Sequence, residues 1–86
     1  MSIFFYHYHL IFYYFLDGKF DKALELYTEA IDLNPNVAAY YGNRSFCNIK
    51  MDFFGAALED ANSAIKIDKK YIKVSTIFHY FVHDFH

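Results

Sequence analysis

The chain has 86 residues, a formal net charge of −2 and a single cysteine. That length accommodates one small domain with a modest core, and the slight acidic excess lacks the basic surplus of a nucleic-acid-binding surface. Cys47 has no internal partner, which excludes an intrachain disulfide and fits a reducing compartment, the cytoplasm and with it the nucleus.

Composition changes twice along the chain. Residues 1–16, MSIFFYHYHLIFYYFL, carry eight of the twenty aromatics and no charge. Of the 18 charged residues, 17 lie between positions 17 and 73, and all five histidines lie outside that interval. Asp17-Gly18-Lys19 reads as a turn. Phe20, Ala23, Leu24, Tyr27, Ala30 and Ile31 then recur at i, i+3, i+4, predicting an amphipathic helix with Glu25, Glu29 and Asp32 outside. Asn34-Pro35 stops it, because the residue before a proline is pushed toward extended backbone. Residues 37–50 predict a second helix, with Asn36 as N-cap and Tyr40, Tyr41, Ser45, Asn48 and Ile49 as its contact face. After a turn at Met51-Asp52-Phe53, the residues Phe54, Ala57, Leu58, Ala61, Ala64 and Ile65 repeat the first stripe. That helix ends near Asp68-Lys69-Lys70.

The first and third of these helices are copies. DKALELYTEAIDL (21–33) aligns with GAALEDANSAIKI (55–67) at a constant offset of 34. Ala23 falls on Ala57, Leu24 on Leu58, Glu25 on Glu59, Ala30 on Ala64, Ile31 on Ile65 and Leu33 on Ile67. The turns at 17–19 and 51–53 keep the same offset. The unit is helix, turn, helix, and its shared alanines let paired helices approach closely.

This period, the Gly-Lys-Phe-Asp-x-Ala run at 18–23 and Asn34-Pro35 resemble the tetratricopeptide repeat (TPR) family. Within it, AIDLNPN, AYYGNRS, ALEDANSAI and DKKYIK are similar to the N-terminal repeat domain of the phosphatase-5 group, over residues 17–73. The resemblance implies an all-α fold of antiparallel helix-turn-helix hairpins, about two repeats in a short right-handed solenoid, acting as a protein-interaction module. Catalysis in that group belongs to a separate metallophosphatase domain with Asp, His and Asn ligands in Gly-Asp and Asn-His motifs. No such motif occurs here, so a non-catalytic chain without metal or cofactor is expected.

The resemblance also implies a groove that captures the extended C-terminal Glu-Glu-Val-Asp tail of heat-shock proteins 90 and 70 (Hsp90 and Hsp70). A C-terminal Asp offers two carboxylates, and a concave helical surface can aim several donors at both. The family uses five residues for this, spread over the first helix, or A-helix, of each hairpin. Asn43 matches the amide donor on the second A-helix and Lys73 the first basic residue of the third, with Lys50 adding positive potential. Arg44, one position round, is expected in solvent or paired with an acid such as Glu25 or Asp60. Tyr8, Phe12 and Ile77 occupy the other three positions, none a suitable donor. Each missing charged donor costs about 1.5–3 kcal/mol, so tail binding is expected to be weak or absent.

The flanks admit several readings. Residues 1–16 are short of the ~18 apolar residues of a transmembrane helix and rich in Tyr and His, and they lack the basic start and cleavage site of a signal peptide. As helix A of a first repeat, Leu10 and Tyr14 are suitably placed, but Ile11 stands where close packing favours Gly or Ala. Alternatively, residues 1–16 anchor the repeats at a membrane. In a further reading both flanks are foreign, Val74-Ser75 being a translated splice donor, and the chain is a truncated gene product without independent function. Residues 74–86 are an atypical tail or the start of a third repeat helix. There His79 and His83 stand at i, i+4, and His7-x-His9 adds two more, without the Cys or carboxylate cluster of a metal site. Two repeats leave apolar faces open, which self-association or a partner would cover.

Overall fold

The short apolar stripes and the turns between them set the architecture. The structure, a computed structural model, describes residues 10, 11 and 13–72. Residues 10–11 and 13–16 are helical (α1), followed by α2 (Phe20–Leu33), α3 (Ala38–Lys50), α4 (Phe54–Ile67) and a 3-10 turn at Lys69–Tyr71. Among the described residues there is no strand, and no helix is long and apolar enough to cross a membrane. Helix α3 packs against α2 on one side and α4 on the other, and the 3-10 turn packs on α4. The tight connections make successive helices antiparallel hairpin partners.

The 34-residue period extends to the backbone itself. After α1, the Lys19 N–H donates to the Tyr14 carbonyl (2.9 Å) and the Gly18 N–H to Phe15 (3.2 Å). After α3, Phe53 donates to Asn48 (2.8 Å) and Asp52 to Ile49 (3.0 Å). Both pairs form the Schellman closure of a helix end, which needs a left-handed residue. Gly18 (φ 74°) and Asp52 (φ 62°) supply it, 34 positions apart. After α2, the Asn36 N–H donates to Asn34 Oδ1 (3.2 Å), and after α4 the Lys70 N–H donates to Asp68 Oδ1 (3.0 Å). These are Asx turns, in which a short polar side chain stands in for a backbone acceptor.

The start of α3 differs from the expectation: the helix begins at Ala38, one residue later. Asn36 does not cap the helix; Val37 stands at the N-cap position with no side-chain cap bond. With its N–H engaged by Asn34, Asn36 belongs to the preceding turn.

Alanines line the seams. Ala23 and Ala57 have 0% exposure, and Ala30, Ala61 and Ala64 are buried with them. The Ser45 hydroxyl, buried, donates to the Ala57 carbonyl at 2.7 Å, a contact that brings a side chain of α3 onto the backbone of α4. Its counterpart one repeat earlier is Ile11, whose larger side chain is buried in a cluster with Ala23, Tyr27 and Cys47. Gly42 closes the other end of α3: a Cβ there would lie 2.8 Å from the Tyr71 ring.

Candidate functional site

Helix α3 presents one side to its neighbours and another to solvent, and the two carry different chemistry. The inward side holds a polar network. Arg44 meets Asp60 through both arms of its fork, Nε to Oδ2 at 2.8 Å and NH2 to Oδ1 at 2.7 Å. Its NH1 donates to Thr28 Oγ1 at 3.2 Å, and Asn48 Nδ2 donates to Asp60 Oδ2 at 3.0 Å. Three helices are thereby tied by one guanidinium. Asp60 is 6% exposed, so the pair is dry enough for its bidentate geometry to matter. The hydrogen bond to Asp60 holds the Arg44 guanidinium in its charged form, raising its pKa against the opposing effect of burial. A hollow of about 200 Å³ lies over this network, lined also by Leu24, Ala56 and Glu59.

Arg44 was expected in solvent or against Glu25 or Asp60, and Asp60 is the partner found. Sequence reasoning did not single out Asn48 or Thr28 as its companions. A signal for Asp60 existed: it sits three residues after Ala57 and four before Ala64, a charge inside an apolar stripe. Beside the network, Cys47 is completely buried, and that burial pushes its thiol pKa up from 9.0 to about 11. A thiol so placed is a poor nucleophile.

The outward side carries Asn43, Phe46 and Lys50, all exposed. The Lys50 ammonium lies 5.3 Å from the centroid of the Phe46 ring, and Phe15 of α1 packs on that ring at 5.3 Å. Asn43 makes no side-chain hydrogen bond among the described residues. Of the three predicted site residues, Asn43 and Lys50 therefore share one face. Lys73 lies outside the described residues, as do Tyr8, Phe12, Ile77, His79 and His83. Phe46 was missed by sequence reasoning, although its position three residues after Asn43 places it on the same face. Among the described residues no group of His, Cys, Asp or Glu side chains could hold a metal ion.

A family profile described as tetratricopeptide repeat matches residues 5–37. The chain is 48% identical over 60 residues to serine/threonine-protein phosphatase 5 of Homo sapiens, a match covering 70% of this chain and 12% of that protein. It is 38% identical over 60 residues to stress-induced-phosphoprotein 1 of Caenorhabditis elegans, covering 70% of this chain and 19% of that one. With DnaJ homolog subfamily C member 7 of Mus musculus it shares 35% over 60 residues, 70% of this chain and 12% of the relative. The chain thus spans less than a fifth of the length of these curated relatives. Matching backbone turns, alanine seams and sequence all carry the same 34-residue unit, and the chain belongs to the tetratricopeptide-repeat family of protein-interaction modules.

Proposed function

We propose that this chain is a non-catalytic interaction module whose exposed α3 face receives the acidic C-terminal tail of a chaperone, of the Glu-Glu-Val-Asp kind carried by Hsp90 and Hsp70. The observation that carries the reading is Asn43, an exposed amide in mid-helix with no partner among the described residues, one side of the helix away from the packed network. Lys50 stands two turns further along the same face. An amide donor, with an ammonium adding positive potential on the same surface, suits the carboxylates of such a tail, because charge-assisted bonds are the stronger kind. Lys73, which the family resemblance matches to the first basic residue of the third A-helix, is the third member proposed. With Tyr8, Phe12 and Ile77 at the remaining positions of the family's clamp, binding is weak. We place the activity in the cytoplasm or nucleus, where a lone thiol stays reduced.

Calorimetric titration with a pentapeptide ending in Glu-Glu-Val-Asp tests the reading. Saturable binding is expected, weakened severalfold or more by Asn43→Ala and by Lys73→Ala. Binding indifferent to both substitutions, or no binding at millimolar peptide, would contradict it.

A further inference from the structure

We propose that the hollow over the Arg44–Asp60 pair is a docking pocket for one basic side chain of a partner protein, held by the Asn48 amide oxygen and the Glu59 carboxylate. This site is separate from the Asn43 face and does not depend on the acidic-tail reading. Three helices wall it: Leu24 and Thr28 come from α2, Arg44 and Asn48 from α3, and Ala56 and Glu59 from α4. At about 200 Å³ it is smaller than a small-molecule site of roughly 300–1,000 Å³ and suits the end of a single side chain.

Asn48 is the residue that points to a ligand. It is only 4% exposed, and its Nδ2 donates to Asp60. A carboxylate can only accept, so that bond assigns the nitrogen to Asp60 and leaves Oδ1 on the other arm of the amide. Oδ1 accepts no hydrogen bond among the described residues. No fully buried side-chain oxygen among them lacks a partner, so this one keeps an opening, and the hollow that Asn48 lines supplies it.

Charge then selects the ligand. The Arg44 fork takes both oxygens of Asp60 and makes that pair neutral overall. Glu59 is exposed, has no ion-pair partner among the described residues and leaves the lining net negative. The wall on the other side continues this sign: α2 carries Asp21, Glu25, Glu29 and Asp32 against Lys22 alone. Asp32 is close enough for its charge to be felt at Arg44. An amide oxygen beside an unpaired carboxylate calls for a charged donor. An ammonium or guanidinium satisfies both, while Leu24 and Ala56 cover the methylenes of its stem. An anion would meet Glu59 and gain nothing from Asn48 Oδ1.

NMR titration of the full 86-residue chain with acetyl-Ala-Lys-Ala-amide tests this, with the norleucine peptide as the uncharged control. The Asn48 side-chain amide and the backbone amides of Thr28 and Glu59 are expected to shift together and saturate with the lysine peptide alone, while Asn43 and Lys50 stay in place. Glu59→Gln, at an exposed position of α4, weakens the lysine peptide about two- to fivefold. Equal responses to the two peptides, no saturation by the lysine peptide, or an affinity unchanged in Glu59→Gln overturns the proposal. So do shifts that stay linear along Asp21, Glu25 and Glu29 without moving Asn48, which mark diffuse attraction only.

Discussion

Arg44 carries more of the packing than its position on a solvent-facing sequence stretch suggests. Its fork fills both oxygens of Asp60, and Asp60 has almost no access to water. Replacing Arg44 with Ala leaves that carboxylate buried with Asn48 as its remaining side-chain donor. The expected loss is about 3 kcal/mol in denaturant unfolding, and Lys in its place restores little because a single ammonium cannot span both oxygens. A loss below about 1 kcal/mol would show that the pair is well solvated. Cys47 supplies a second residue-level prediction. Its thiol is favoured over the thiolate in the folded state, so the contribution is fully present below pH 9.0, where the unfolded chain is also protonated. It fades as pH rises from there to about 11. Over that window the unmodified chain should lose on the order of 2 kcal/mol more stability than Cys47→Ala. Parallel pH curves for the two proteins would contradict this.

At the scale of elements, the turns explain why the repeat holds. Gly18 and Asp52 occupy equivalent left-handed positions, yet only the first is a glycine. Asp52→Gly relieves the strain on a Cβ-bearing residue and is expected to stabilise the chain by about 0.5–1 kcal/mol, read as a shift in the urea midpoint at unchanged slope. A destabilised variant would mean that the aspartate side chain contributes more than its backbone costs. Much at this scale is legible in the sequence. Ala23 and Ala57, and Ala30 and Ala64, advertise close-packed seams because only small residues tolerate them, and all four are buried. Ser45 and Asn48 are also buried in the expected face of α3. The rest depends on relations that periodicity does not encode. Whether Arg44 pairs with Glu25 or Asp60 is decided by the rotation of α4 against α3. The helix starts one residue later than expected, so Val37 and not Asn36 stands at its N-cap, and Gly42 is needed only because Tyr71 arrives from a later segment. The candidate face was legible to the extent that Asn43 and Lys50 sit at i and i+7; the ring between them acquires meaning only once Phe15 and Lys50 are seen against it.

For the whole molecule, α2 and α4 flank a shared α3, and each neighbour is satisfied by a different part of it. The buried side of α3 is thus committed to the stack through Ser45, Asn48 and Arg44, leaving the outward side available to a partner. A repeat array gains stability from such neighbour interfaces, so removing the Arg44 tie should be felt across the array, while changes at Asn43 alter binding alone. Amide chemical shifts recorded during titration with a Glu-Glu-Val-Asp peptide separate these two sides most directly. The resonances of Asn43, Phe46 and Lys50 should move together and saturate, while those of Thr28, Glu59 and Asp60 stay in place. Shifts confined to the Thr28–Glu59 side, with Asn43, Phe46 and Lys50 unmoved, would contradict the account.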